Sequence, residues 1–293
     1  MILMVSGRCD IPAYYSEWFN NRLNSGFLDV RNPFNPKLVS RIYFKDVDLF
    51  MFCTKNPHPI IKYLNKIDKP IVFHVTLTPY KNDIELNVSK DNIINDIKEI
   101  SKIVGIDNFY LRYDPILLND KYHINYHLKA FKRICELLDG YVKNIIVSFV
   151  DIYKNVINNM KYLNLKEFRD DDYKTIGINF SNYAKMHNMT VQTCFEKKNL
   201  VEYGFVKGDC ISQKKALELT SKAFKLSKIR DGKLCKCAET VDIGSYNSCF
   251  NKCRYCYANF NEELIEENMK NHDPNSSLLI GHINSDDIIK VRK

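Results

Sequence analysis

The chain has 293 residues and a mass of 34.4 kDa, of which 45% are hydrophobic and 27% charged, which excludes fibrous and disordered classes and suits one large core, alone or with a small appendage. The net charge of +8 (43 Lys and Arg less 35 Asp and Glu) is uneven: eight Lys or Arg face only Glu218 and Asp231 between Gln213 and Cys237, whereas seven acidic residues outnumber four basic ones after Asn261. Ten cysteines, no apolar run near the ~20 residues of a membrane helix, and no basic region ahead of the short apolar N-terminal stretch predict a cytoplasmic protein with no membrane partner and no signal peptide. In a reducing compartment clustered cysteines mean metal more often than disulfides.

In chain order, short β-branched and aromatic runs predict strands at Ile2–Ser6, Asp48–Cys53, Ile71–Leu77, Phe109–Tyr113, Asn144–Phe149, Thr190–Cys194 and Thr240–Gly244. Helical periods predict helices at Ala13–Asn24, Pro57–Asn65, Asp91–Val104, Ile124–Leu138, Phe180–His187 and Lys214–Ile229, with Asp91 as an N-cap and Pro57 in a first turn. The alternation implies an α/β protein: a TIM-like or partial (β/α) barrel, parallel strands with outer helices. One barrel domain is expected over residues 1–260, including a cysteine-rich C-terminal segment, and a helix and tail over 261–293 packing on the barrel. That last helix carries Glu262, Glu263, Glu266 and Glu267 in its first turns, where acidic side chains suit the dipole.

Barrel chemistry sits where strands end, and these strand ends are polar: Ser6, Arg8 and Asp10; Thr54, Lys55 and Asn56; His74, Thr76 and Thr78; Arg112 and Asp114; Ser148 and Asp151; Gln192, Cys194 and Glu196. Polar groups on apolar strands must be paired or face a wet cavity. Arg112 or Lys55 could bind a carboxylate or phosphate, Arg bidentately and Lys as a point charge. The histidines are scattered; His123 and His127 share a helix face but read as a solvated helix start. Cys53 and Cys135 read as core, Cys9 beside Arg8 has a lowered pKa as an option, and Cys210 lies in a loop with no evident partner.

The most specific motif is Cys249-Phe250-Asn251-Lys252-Cys253-Arg254-Tyr255-Cys256-Tyr257-Ala258-Asn259. Three thiols spaced C-x3-C-x2-C can ligate three irons of a cubane and leave the fourth open. A structural zinc site wants four closed ligands, and Cys235 and Cys237 upstream could complete such a site or serve an auxiliary or fully ligated cluster.

This spacing, with Tyr255 before the last cysteine, resembles the signature of the radical S-adenosylmethionine (SAM) superfamily. The resemblance implies a [4Fe-4S] cluster on Cys249, Cys253 and Cys256, SAM on its fourth iron, Tyr255 near the adenine, Tyr257 to Asn259 shaping the adenosine pocket, and an electron donor such as flavodoxin or ferredoxin. Asp10-Ile11-Pro12-Ala13-Tyr14-Tyr15-Ser16-Glu17-Trp18-Phe19, Val30-Arg31-Asn32-Pro33, Thr54-Lys55-Asn56-Pro57, Arg112-Tyr113-Asp114-Pro115-Ile116 and Val241-Asp242-Ile243-Gly244 resemble stretches of an uncharacterised prokaryotic family known only as a domain of unknown function. The Thr-Lys-Asn-Pro element is similar to one in spore photoproduct lyase-like radical SAM proteins. Two features depart from the superfamily. The box follows the last strand rather than the first, as a circular permutation would place it. No Gly-Gly-Glu segment exists to hold the SAM amine, which leaves Ser6, Thr54 or Asn56, with Arg8 beside them.

The expectation is therefore a permuted radical SAM-like enzyme abstracting hydrogen in a cavity lined by Arg8, Asp10, Lys55, Arg112 and Asp114. Cys194 is either a hydrogen-atom donor or a small buried hydrophobe. The alternatives are an iron–sulfur or zinc-stapled barrel without radical chemistry and a nucleic-acid-processing protein using the basic segment around Lys214 to Lys236.

Overall fold

The computed structural model describes the chain except residues 153, 155, 156, 195, 197 and 229–233 and the side chains of residues 228, 234 and 235. Its strands are β1 (Ile2–Val5), β2 (Phe27–Arg31), β3 (Leu38–Tyr43), β4 (Leu49–Thr54), β5 (Ile71–Thr76), β6 (Phe109–Ile116), β7 (Asn144–Phe149), β8 (Thr190–Thr193), β9 (Val206–Lys207), β10 (Leu226–Lys228), β11 (Leu234–Ala238), β12 (Thr240–Asp242) and β13 (Ile288–Val291).

Eight of them form one parallel sheet in the order β12-β1-β4-β5-β6-β7-β8-β9. All seven strands expected from the sequence are in it. The closed TIM-like barrel is not: β12 pairs with β1 and β9 with β8, and the two edges do not pair with each other, so the sheet is open. The edges are three and two residues long, too short for a continuous ladder between them.

The strands are apolar on both faces because both faces are covered. One face, with Leu3, Val5, Phe50, Phe52, Phe73, Val75, Leu111, Tyr113, Ile145 and Val147, lies in the main core. Helices Ile93–Val104, Ile124–Leu137 and Asp170–Lys185 bury onto it residues three or four positions apart: Ile93, Ile97 and Ile100; Phe131, Ile134 and Cys135; Ile176, Phe180 and Ala184. Phe131 and Phe180 stack with centroids 3.7 Å apart. The opposite face carries the alternate residues. Ile2, Leu49, Met51, Val72, Tyr110 and Ile146 form a smaller cluster with Ala216 and Ala238, and beyond them the same face turns polar toward the strand ends.

Other local expectations change. Asn92, in the left-handed region at φ 59°, precedes the third predicted helix, so Asp91 is not its N-cap. The helix expected over Phe180–His187 begins earlier, at Asp170. The Lys214–Ile229 helix spans only Gln213–Thr220: Ser212 caps its start, Ser221 ends it at φ 56°, and β10 then pairs antiparallel with β11. Tertiary pairing overrides the helical propensity of Lys222 to Lys225. Lys214 and Lys215 therefore lie on the helix and Lys222 and Lys225 beyond it, while residues 229–233 lie outside the described residues.

A separate three-stranded sheet, β13-β3-β2, was not legible in advance. It ties down the tail: Arg31 pairs with Asp287 at 2.6 Å, Trp18 Nε1 donates to Ser276 O at 2.9 Å, and Leu278 and Leu279 are buried. The helix Glu262–Lys270 precedes it, capped by Asn261, and Lys252 pairs with Glu262 and Glu266 on it. Among the described residues no helix is long and apolar enough to cross a membrane.

Candidate functional site

A cavity of about 310 Å³ opens at the C-terminal ends of the parallel strands. Its wall includes Ser6, Arg8, Cys9 and Asp10 after β1, Cys53, Thr54 and Lys55 around the end of β4, and Thr76 and Arg112 on β5 and β6. Cys249, Cys253, Tyr255, Cys256, Tyr257 and Asn259 of the cysteine box complete it. Residues 249 positions apart in the chain thus share one cavity, and most of the residues singled out by sequence lie on its wall. Asp114, Asn56, Cys194 and Cys237 stand outside that lining, as do the strand-end residues His74, Thr78, Ser148, Asp151, Gln192 and Glu196.

The seat of the box is built from the N-terminal loop. Asp10 Oδ1 accepts from Ala13 N at 3.2 Å and from the Thr54 hydroxyl; Oδ2 accepts from Lys55 N at 2.8 Å and Asn251 Nδ2 at 2.9 Å. Burial outweighs these bonds and lifts the Asp10 carboxyl above its ordinary range. The Tyr14 hydroxyl donates to Asn251 Oδ1 at 2.8 Å and that of Tyr15 to Ser248 O. The box is also stitched to residues 83–87: Arg254 N donates to Ile84 O at 2.9 Å, Asn87 Nδ2 to Phe250 O at 2.8 Å, and Glu85 forms an antiparallel bridge with Cys253. Asn259 closes it, its Oδ1 accepting from Ser248 N and Cys249 N at 2.8 and 2.9 Å and its Nδ2 donating to Arg8 O at 2.7 Å and Cys256 Sγ at 3.5 Å. Asn259 therefore shapes the thiol loop.

Asp242 sets the junction of β12 and β1. It accepts from Ser6 Oγ at 2.8 Å, Gly7 N at 2.9 Å and Gly244 N at 2.7 Å. Gly244 is required by close approach, because a Cβ there would lie 2.0 Å from Ser6 Oγ. The hydroxyls of Ser6 and Thr54 are thus committed to Asp242 and Asp10, and Asn56 Oδ1 accepts from His58 N at 3.3 Å. Arg8 Nη1 reaches Gly244 O at 3.4 Å and its guanidinium lies over the Tyr246 ring. Among the described residues no carboxylate pairs with it.

The other two cations on the wall are paired. Lys55 Nζ lies 2.8 Å from Glu85 Oε1, which also accepts from the hydroxyls of Thr78 and Tyr255, and Lys90 Nζ lies 2.8 Å from Oε2. Burial alone would raise Glu85, but Lys55 and Lys90 outweigh it and hold the carboxyl down at about 2. Arg112 Nε donates to Asp114 Oδ2 at 2.8 Å, and Ser148 donates to Oδ1. Glu85 is a site residue that sequence reasoning missed; it lies between predicted elements in a segment with no motif.

The thiols divide into two sets. Burial raises those of Cys249 and Cys253, so a cation they ligate must displace their protons. Cys9 is no lowered-pKa thiol; burial pushes it up to about 12. Among the described residues, the one set of three Cys, His, Asp or Glu ligand atoms lying within 4.8 Å of one another is Cys194, Cys210 and Cys237. This triad could hold a metal ion. Cys210, expected to have no partner, accepts from Arg112 Nη1 at 3.4 Å. Cys194, read as a hydrogen-atom donor or a hydrophobe, lies 3.6 Å from Cys237. The side chain of Cys235 lies outside the described residues. Cys135 is buried core, and His127, far from solvated, is fully buried between Tyr113 and Leu117.

Residues 2–258 match the family described as a domain of unknown function, DUF1848. The chain belongs to that family. No curated protein and no solved structure matches it. The DUF1848 match covers the whole eight-stranded sheet and the box through Ala258.

Proposed function

We propose that this DUF1848 protein is an iron–sulfur enzyme of radical SAM type, with the cluster on Cys249, Cys253 and Cys256. One observation carries the reading: three box thiols converge on one wall of a strand-end cavity whose remaining wall sets Arg8, Asp10, Lys55 and Arg112 beside the apolar Met4, Met51 and Cys53. The thiol spacing of the box supports a cluster, and the box sulfurs are not gathered within the 4.8 Å of the tighter triad. A single tetrahedral ion draws thiolates to about 3.8 Å from one another, whereas a cubane carries them on separate irons. Cys249, Cys253 and Cys256 would hold the cluster, which would supply the electron for reductive cleavage of SAM.

The chain's own residues do the rest. Arg8, with which no carboxylate pairs among the described residues, offers its guanidinium to a carboxylate, the bidentate partner such groups favour. Tyr255, held by Glu85, presents its ring to the cavity, and Tyr257 lines the mouth. Arg112, its Nε on Asp114 and its Nη1 on Cys210, lines the sheet side of the cavity as a fixed, charge-paired donor. Lys55, neutralised by Glu85, keeps the box in place rather than binding substrate.

The test is anaerobic reconstitution with iron and sulfide, then electron paramagnetic resonance of the dithionite-reduced protein with and without SAM. The expected result is a [4Fe-4S]⁺ signal that shifts with SAM, vanishes in Cys253→Ala and loses its SAM response in Arg8→Ala. A signal indifferent to SAM, or zinc in the box, overturns the proposal.

A further inference from the structure

The open side of the sheet is where the second thiol set lies. Cys194 directly follows β8, Cys210 follows β9, and Cys237 lies on β11 just ahead of β12. The three sulfurs therefore come from both edges of the eight-stranded sheet, β9 at one side and β12 at the other. Their spacing fits a single ion: all lie within 4.8 Å, and Cys194 and Cys237 are 3.6 Å apart. Tetrahedral zinc with Zn–S bonds near 2.3 Å calls for about 3.8 Å between sulfurs. A disulfide would need about 2.05 Å and would use only two of the three.

The surroundings treat these sulfurs as acceptors. Cys210 N donates to Cys237 Sγ at 3.2 Å, and Arg112 Nη1 donates to Cys210 Sγ at 3.4 Å. Donors aimed at sulfur and a neighbouring cation are what a thiolate set carrying excess negative charge requires, and thiols acting only as hydrophobes would need neither. The backbone holds the triad in place independently of a ligand: Ala238 N donates to Ile211 O at 2.9 Å, Ser212 bridges Cys237, Gly208 N donates to Thr193 O at 2.9 Å, and Gln192 Nε2 donates to Asp209 O at 3.0 Å.

We propose that Cys194, Cys210 and Cys237 bind one zinc ion that fastens the two edges of the open sheet, with water as the fourth ligand completing the tetrahedron. The ion is distinct from the cluster on the box, and its site stands whether or not the box performs radical chemistry. Because Cys210 and Arg112 also line the cavity, the ion sits behind the cavity wall and fixes the position of Arg112.

The experiment is metal analysis of full-length protein purified under reducing conditions with zinc supplied and before any iron reconstitution. One zinc per chain is expected in the wild type and in Cys253→Ala, with at least a tenfold loss in Cys194→Ser and Cys210→Ser. Should the serine variants not fold, cobalt substitution of the wild type and of Cys253→Ala must give the same tetrahedral thiolate–cobalt spectrum in both. The proposal is overturned by absence of zinc in the wild type, by iron in its place, by zinc that leaves with Cys253→Ala, or by a Cys194–Cys237 disulfide in peptide maps. Since the box variant keeps its zinc, failure of this proposal and failure of the radical reading give different results.

Discussion

Asp10 and Asn251 are 241 positions apart and joined by a 2.9 Å hydrogen bond. Asp10 collects donors from the helix that follows it, from the end of β4 and from the box, so one carboxylate fixes three segments at the cavity mouth. Replacing it with Ala strands four donors in a buried place, where each orphan costs about 1–3 kcal/mol. We expect Asp10→Ala to lose at least ~3 kcal/mol in urea denaturation, and Asn251→Ala about 1–2 kcal/mol. A loss below ~0.5 kcal/mol for Asp10→Ala would refute this role.

The Lys55–Glu85–Lys90 group predicts a double-mutant result. Glu85 has a side-chain exposure of 1% and answers two lysines, so removing its charge leaves both of them uncompensated. Glu85→Gln should cost about 3 kcal/mol or more, and Lys55→Met, which leaves Glu85 on Lys90, should cost less. Glu85→Gln combined with Lys55→Met should recover part of the Glu85→Gln loss, because the second change removes the more buried of the two stranded ammoniums. Strict additivity of the two single losses would count against the coupling.

His127 predicts a stability change with pH. Its Nε2 donates to Leu117 O and its Nδ1 accepts from the Tyr113 hydroxyl, both at 2.9 Å, and burial pushes its pKa down to about 4. The unfolded imidazole titrates near ~6.5. The folded value is the lower one, so the contribution is complete above the unfolded pKa and is lost as pH falls from ~6.5 to ~4, by about 3 kcal/mol. His74, held neutral by burial and by Arg112, adds to the same window. Denaturation midpoints at pH ~7.5 and ~4.5 should therefore converge in His127→Gln relative to wild type. Identical pH dependence in the two proteins would refute the assignment.

Gly244 predicts a steric result. A Cβ at 2.0 Å from Ser6 Oγ cannot be accommodated without moving the β1 end, so Gly244→Ala should cost ~2 kcal/mol or more. Ser6→Ala in the same chain removes the offending oxygen and should restore part of the loss by thermal denaturation. If the double variant is no more stable than Gly244→Ala alone, the clash is not the cause.

What the sequence made legible follows from locality. The seven strands and their helices announce themselves by apolar runs and helical period within a dozen residues, and the box by spacing within eleven. Edge pairing does not: β9 is two residues long, and whether β9 meets β12 depends on groups some 35 positions apart. The Cys194, Cys210 and Cys237 triad has no short spacing to reveal it, since Cys194 and Cys237 are 43 positions apart. The stretches Asp10 to Phe19 and Val241 to Gly244 stood out as motifs. Their tasks, holding Asn251 and Ser248 or bonding Ser6 and Gly7, are visible only once distant segments are brought together.

Every strand of the eight-stranded sheet precedes Cys249 in the chain, while the loop that seats the box comes from residues 10–15. A polypeptide emerging from its N-terminus thus presents the receiving surface long before the thiols that dock on it. The three thiols arrive after the last strand of that sheet, so an arrested or shortened product that stops before the box keeps the scaffold's strands and forfeits the thiol wall of the cavity.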